Sequence, residues 1–290
     1  MSMIDKNIKD NFDTVAANYD KAAFLQHEIA KKLIAKTVFI KDAPQSILDL
    51  GTGSGILAKL LVEQYPDSKV TAIDNSEKMC EVAAAKPGFN TVCADARQLP
   101  FSDWSYRAIY SNLMLQWVPD YLRVFTEAKR VLAPGGFFIF SSFGPKTLVE
   151  LRHAWAEVDD YKHVNDFTPM QELADKLSQQ GFIDVVVSTE TIVVKYDSIR
   201  KIFTDLKAVG ATNVMAVDKY QGLMTRSKLA KFYKAYETMK LEDGSYPVTY
   251  EVVYAICWSK DKAAEVKQSN VVSVDHLRNL MQKFNDGSKS

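Results

Sequence analysis

The stretch from Ile47 to Gly55, "ILDLGTGSG", decides how this chain folds. With Ser46 its first four residues read as a short buried strand, and three glycines spaced by Thr52 and Ser54 then leave the backbone nearly bare. "ILAKLLVEQY" resumes in a helical pattern, and Pro66 ends it. In a strand–loop–helix unit of a parallel sheet, ligands bind in the crevice beyond the strand's carboxyl end. Glycine permits positive φ and close approach to the main chain, and amides at the start of the following helix favour an anionic group. The stretch therefore predicts a flat or extended ligand lying on backbone; its bland alternative is a turn that only packs helix against strand.

Working outward, strand and helix signals alternate. "KVTAID" is a second strand, and Ser76 caps "SEKMCEVAAAK" before Pro87 and Gly88. "NTVCAD" and "YRAIYSN" follow as strands. A helix then carries Leu122, Phe125, Ala128 and Leu132 along one side, and the Pro134–Gly136 turn leads into "FFIFSSF". In "TPMQELADKLSQQG" Thr168 is expected to cap, with Pro169 at the first helical position and Gly181 as the stop. "FIDVVVSTETIVVKY" and "TYEVVYAICW" are strand-like. Between them, two amphipathic patterns (Ile199, Ile202, Phe203, Leu206; Leu229, Phe232, Tyr233, Tyr236) read as a helical lid inserted in the sheet. Phe12, Val15, Ala16 and Tyr19 also repeat at helical spacing, so a helix is expected to cover the domain from the N-terminal side, while "SVDHLRNLMQKF" reads as a loosely docked helix near the end.

Two acids refine the ligand. Asp74 ends the second strand 19 positions after Gly55 (74 − 55), with Asn75 beside it, where a carboxylate accepts both ribose hydroxyls of an adenosyl group. Asp95 ends the third strand and is followed by Ala96, suiting contact with the adenine amine. NAD and S-adenosylmethionine both satisfy this pattern. The spacing here is G-x-G-x-G, with Ile56 where the last glycine of G-x-G-x-x-G would fall, which disfavours a pyrophosphate.

Composition excludes several classes. Lys plus Arg and Asp plus Glu number 36 each, so net charge names no partner, and no apolar run reaches the roughly 18 residues of a membrane span. The charged start, "MSMIDKNIKDNFD", does not read as a secretory signal, and the expected location is the cytoplasm. Cys80, Cys93 and Cys257 have neither disulfide nor zinc spacing and are expected to be buried thiols; no metal site is expected.

"ILDLGTGSG", "AIDNS", "CADARQLPF", "YSNLMLQW" and "RVLAPGGFFIFSSFG" together make Ser46 to Gly144 resemble class I S-adenosylmethionine-dependent methyltransferases. The resemblance implies an α/β, Rossmann-like fold: a mixed seven-stranded sheet with helices on both faces. Residues 1–44 would be an N-terminal helical cover, 45–196 and 246–259 the cofactor-binding core, 197–245 the lid between the last two strands, and 260–290 a tail. It also implies that Asp49 lies under the methionine part of S-adenosylmethionine, a purely loop-fixing role being the alternative. Gly51 and Gly53 would touch the ligand, Asp74 hold the ribose, Asp95 and Ala96 meet the adenine, and Asn112 offer backbone near the sulfonium. More narrowly, "NFDTVAANYDKAAFLQHEIAKKL", "SSFGPKTLVELRHAWAEVD" with "HVNDF", "DLKAVGATN" and "YPVTYEVVYAICW" resemble the branch of that family that esterifies malonyl-acyl carrier protein, or malonyl-CoA, to open pimelate assembly for biotin. Thr52, where many of that branch carry cysteine, and the long tail are departures.

Such a reaction aligns an ionised carboxylate with a methyl group in a dry pocket and requires no base. The carboxylate must still be held, because burying an unpaired charge is costly. Tyr19 is the expected gate and hydrogen-bond donor, and Lys207, Arg226 and His153 are the expected candidates for orienting the carboxylate. From Lys195 to Lys234 nine basic residues face three acidic ones, net +6 (9 − 3), which suits an acidic acyl carrier protein; the tyrosines there read as core and rim, so nucleic acid is not expected. The rival functions are another methyltransferase of this fold acting on carbon, or a protein that binds S-adenosylmethionine without turnover.

Overall fold

The strand signals around "ILDLGTGSG" become one sheet in the computed structural model, which describes residues 2–211 and 225–260. The chain begins with α1 (Met3–Val15), a 3₁₀ turn (Ala16–Asn18), α2 (Tyr19–Ala22) and α3 (Phe24–Ala35). It continues through β1 (Ser46–Leu50), α4 (Ile56–Gln64), β2 (Lys69–Asp74), α5 (Glu77–Ala84), β3 (Asn90–Cys93), β4 (Tyr106–Asn112), α6 (Tyr121–Val131) and β5 (Leu132–Phe143). After α7 (Val149–Ala156) and α8 (Met170–Gln179) come β6 (Ile183–Tyr196), α9 (Ile199–Ala208), α10 (Arg226–Glu237) and β7 (Tyr246–Trp258).

The seven strands lie in the order β3-β2-β1-β4-β5-β7-β6, parallel through β5, with β7 antiparallel to both neighbours. This is the mixed, doubly covered α/β sheet expected. Because side chains alternate along a strand, β1 sends Ile47 to one face and Leu48 and Leu50 to the other. Ile47 joins Tyr110 and Ile139 beneath α3, α4 and α7, whereas Leu48 and Leu50 join Phe138 and Phe140 beneath α6 and α8.

Connectivity places the insertion. β6 and β5 both oppose β7, so β6 runs parallel to β1 and β5, and its last residue lies at the carboxyl edge where ligands bind. β5 leaves β7 at Phe143↔Val252, but β6 stays paired to Tyr196↔Tyr246. The hairpin thus overshoots the sheet by six residues of β7, or ~20 Å at ~3.4 Å per residue, and carries α9 and α10 above the edge.

Several local expectations change. The N-terminal cover is not one helix: Asn18 adopts φ −118° and ψ 4°, so α1 stops at Val15 and Tyr19 opens α2. Side-chain ties lie on both sides of the break, from Asp13 to Ser76 Oγ (2.5 Å) and from Ser54 Oγ to Asp20 (2.5 Å). α3 is part of the sheet's own covering layer, with Ile29, Ala30 and Leu33 fully buried. α8 starts one residue late, because Pro169 is extended (ψ 148°) and occupies the cap position, so Thr168 does not cap it. The buried face of α6 is Val124, Phe125, Ala128 and Val131; Leu132 has already entered β5. Asp95 lies two residues past the end of β3, and Cys93 is exposed while Cys80 and Cys257 are buried. The insertion is anchored in the main core through Ile202, Phe232 and Tyr236, though Leu229 is exposed. Tyr220 and the tail helix lie outside the described residues.

Candidate active site

The glycine loop is pinned from below. Gly51 and Thr52 donate their amides to Ile73 O (3.0 and 2.7 Å), so the loop bends across the end of β2. Gly51 has φ +74°, and a Cβ there would meet Met114 Cγ at 2.2 Å. At Gly53, also left-handed at φ +55°, a Cβ would meet nothing within 4 Å, since that side of the backbone is open crevice. This open main chain is the surface an extended ligand requires.

Asp49 lies under the loop, fully buried. Its Oδ2 accepts the Thr52 hydroxyl (2.5 Å), and its Oδ1 is buried with no hydrogen-bond partner among the described residues. Burial pushes its carboxyl up to about 7, the Thr52 hydroxyl and the Ala58 amide opposing and the charge of Asp74 adding to the rise. An acid held this way is neutralised most cheaply by a cationic neighbour, such as the amino-acid end of a bound ligand. Asp74, at the tip of β2, accepts Gly53 N (2.8 Å) and Ser76 N (2.9 Å), yet burial still raises its pKa.

Beyond Asp74 the crevice runs to Asp95 and Ala96. Burial opposes ionisation of Asp95, but the fork of Arg97 (Nη2–Oδ2 2.7 Å, Nε–Oδ1 3.0 Å) and the Arg97 amide hold its carboxyl below the usual range. Arg97 Nη1 also reaches Asp5 on α1 (3.0 Å), so the roof is tied to the floor at this end. At the other end Asn112 donates to Gln26 O (2.9 Å) and accepts from Ser141 Oγ (2.7 Å). The next residue, Leu113, is left-handed at φ 52° and held there by Ser141. α1 roofs the crevice, with Phe12 edge-on to Trp117 (5.6 Å). Tyr19 faces Asp74 and Asp20, and desolvation, then those two negative charges, raises its pKa, so it remains a neutral donor.

The crevice, about 130 Å³, adjoins a second chamber of about 380 Å³, with Gln26, Trp117, Phe143, Val209 and Ala211 lining both. The chamber lies between α3, α7 and the insertion, walled by Trp155, Phe167, Phe203 and Tyr250. His163 stacks on Trp155 (4.0 Å, 13° between planes), and its Nε2 meets Asp159 Oδ1 at 2.8 Å. Asp159 also takes Lys228 Nζ at 2.7 Å, joining α10 to the loop after α7. Although burial works against its ionisation, Lys228 and His163 hold Asp159 at about 2, so it can only accept, and His163 donates to it from Nε2.

Among the residues singled out from sequence, Tyr19, Gly51, Gly53, Asp74, Asn75, Asp95, Ala96 and Asn112 all line the crevice, Asp49 sits beneath it, and Lys207 lines the chamber. His153 and Arg226 line neither: His153 points outward from α7, whose inner face is Leu151, Ala154 and Trp155, and Arg226 is exposed at the start of α10. Sequence reading missed Arg97, Trp117, Gln26, His163 and Asn165. The stretch "HVNDF" held two of them.

Strand order, glycine loop and acid-tipped strands define a class I S-adenosylmethionine-dependent methyltransferase, and residues 48–140 match the family model described as a methyltransferase domain. Among solved structures, the chain is similar to Haemonchus contortus phosphoethanolamine N-methyltransferase 2 in complex with S-adenosyl-L-methionine (TM-score 0.53, 15% identity, 86% of this chain and 57% of that one). It is equally similar to the [4+2]-cyclase SpnF (TM-score 0.52, 18% identity, 81% and 82%), so the fold by itself does not fix the chemistry. Sequence relatives are more specific. The chain is 37% identical over 265 residues to the malonyl-(acyl-carrier protein) O-methyltransferase of Laribacter hongkongensis (87% of this chain, 88% of that protein) and 35% identical over 284 residues to that of Gallionella capsiferriformans (92% and 97%). It belongs to the malonyl-(acyl-carrier protein) O-methyltransferase family. Among the described residues, no helix is long and apolar enough to cross a membrane.

Proposed function

We propose that the chain transfers a methyl group from S-adenosylmethionine to the free carboxylate of a malonyl thioester on acyl carrier protein, giving the methyl ester. One observation carries the reading: an aromatic chamber with polar groups in its wall lies directly against the cofactor crevice, sharing Gln26, Trp117 and Phe143 with it. The family relatives supply the substrate class. The bound cofactor supplies a methyl group on a positively charged sulfur, and transfer to a carboxylate removes both charges. The acceptor, with a pKa near ~4, is ionised at neutral pH, so the protein's work is to orient it, exclude water and hold the cofactor. In this reading Asp74 grips the ribose, Asp95 and Ala96 meet the adenine, the Gly51–Gly53 backbone supports the amino-acid end above Asp49, and Tyr19 closes the crevice.

The insertion serves as the docking surface for the acidic carrier. Its position above the carboxyl edge supports this, but its field is weaker than the sequence count, because Lys195 and Lys228 are paired with Asp243 and Asp159, which lie outside the counted stretch. Arg200, Lys207, Arg226, Lys231 and Lys234 remain exposed. The cytoplasm is the setting for the reaction in this reading.

The test is incubation with labelled S-adenosylmethionine and malonyl-acyl carrier protein, followed by mass spectrometry. A gain of one methyl group is expected, with none on acetyl-acyl carrier protein, which lacks the free carboxylate. Equal labelling of both would sink the carboxylate assignment.

A further inference from the structure

We infer that the side-chain amides of Gln26 and Asn165 form an uncharged clamp for the carboxylate of the acceptor; the inference rests on the function proposed above. Gln26 lines both cavities and so stands where they adjoin, on an α3 fixed by buried Leu25 and Ile29. Its backbone oxygen is the acceptor of the Asn112 amide at 2.9 Å, which ties its place to the end of β4. Asn165 lines the chamber next to His163 and Val164 and is only 9% exposed.

Both carboxamides have capacity to spare. Gln26 Oε1 and Asn165 Oδ1 are buried without a hydrogen-bond partner among the described residues. An unmade bond at a buried polar atom is costly, and such atoms are uncommon in folded proteins. The protein therefore holds neither amide by its oxygen. Each oxygen is shut into the wall, whereas neither amide nitrogen is closed off or bonded to a described residue, so the NH2 end of each is the one left open to the cavity it lines, and two such amides around one chamber supply the donors that a desolvated carboxylate requires.

The charges nearby favour amides over cations for this task. Lys228 is committed to Asp159 at 2.7 Å, Arg152 donates to Thr147 O (3.2 Å) and lies 3.6 Å from Asp166, and Lys207 shares the chamber wall with Asp205. A carboxylate locked to a guanidinium would surrender the electron density with which it attacks. Neutral N–H donors satisfy its lone pairs and leave the charge in place. The product ester has lost that charge, so the same amides hold it less firmly, and they discriminate substrate from product.

Near-isosteric variants test this. Gln26→Glu and Asn165→Asp keep the size of each side chain but put a negative group where the carboxylate is bound. Each should raise the KM for malonyl-CoA about 10- to 100-fold, the range of a lost hydrogen bond to a charged group, while Asn165→Asp leaves S-adenosylmethionine affinity at the wild-type value. Asn165→Leu, which adds no charge and leaves the Gln26 amide in place, should weaken the preference for binding malonyl-CoA over its methyl ester. Variants with wild-type KM and an intact preference, in an enzyme that methylates malonyl-CoA, would overturn the clamp alone. A wild-type protein that methylates no malonyl thioester would overturn the parent reading and the clamp with it.

Discussion

Replacing Asp49 with Asn should stabilise the cofactor-free protein at pH 8 and lose most of that advantage at pH 5. Asp49 is fully buried, one of its oxygens is unpartnered, and burial lifts its carboxyl from 3.8 to about 7. Below pH 3.8 it is protonated in both the folded and the unfolded chain and contributes no difference. Between 3.8 and 7 the folded protein keeps a proton that the unfolded chain has released, so stability falls as pH rises, by about 1.36 kcal/mol per pH unit. Above about 7 the cost is constant. A rigid, dry site would place it at about 4 kcal/mol across that window; relaxation and water penetration reduce it to about 2 kcal/mol. The substituted amide would keep an oxygen for the Thr52 hydroxyl and carry no charge. For a chain of this size about 2 kcal/mol corresponds to roughly 4–8 °C in Tm. Thermal unfolding of both proteins at pH 5 and pH 8 reads the difference directly, and about a third of the pH 8 gain should remain at pH 5. A Tm difference that does not change with pH would refute the reasoning, because it would mean that Asp49 carries no buried charge. The same substitution should weaken S-adenosylmethionine binding, since the strain on the carboxylate is what a cationic ligand relieves.

Asp74→Ala should reduce S-adenosylmethionine affinity about 10- to 100-fold by calorimetry, as it removes a carboxylate from the ribose position and frees the amides of Gly53 and Ser76; full affinity would exclude the ribose role. Tyr19→Phe should leave cofactor affinity within about twofold but lower kcat about tenfold, the loss expected when a single donor is removed, and an unchanged kcat would reduce Tyr19 to a packing residue. Reversing Arg226 and Lys231 to Glu should raise the KM for malonyl-acyl carrier protein about tenfold at low salt, and much less for malonyl-CoA, with the gap closing as salt is added; equal effects on the two substrates would remove the docking surface from this face.

The cofactor half of the molecule could be read from sequence because its determinants are local. A glycine loop directly follows its strand, one acid ends the next strand and the other lies two residues past the third, so counting along the chain places Asp74 and Asp95 on the crevice. What counting could not find was their partners. Arg97 looks like any surface arginine in "CADARQLPF", and only folding brings Asp5 to within 3.0 Å of it, across 92 positions of chain. The same applies to the break after Val15. A helical repeat through Phe12, Val15, Ala16 and Tyr19 is genuine, but Asp13 and Asp20 are drawn to Ser76 and Ser54 in different parts of the loop region, and these ties favour a bent backbone over a continuous helix.

The acceptor half shows why charge is a poor guide to a carboxylate site. A search for cations selects Arg226 and Lys207 by their chemistry and His153 by its neighbours, yet a helix places every third or fourth residue alike, and on α7 the inward positions are Leu151, Ala154 and Trp155. The histidine that reaches the chamber is His163, in a loop with no periodicity to mark it, positioned by a ring it stacks on eight residues earlier and by an acid that also receives a lysine from α10. Of the cations near the chamber, Lys228 is spent on Asp159, which holds α10 to the loop after α7, and Lys207 is exposed. Binding the substrate's charge then falls to residues that sequence patterns rank as ordinary amides, and the feature that singles out Gln26 and Asn165 is a buried oxygen with nothing to accept, which exists only once the chain has folded.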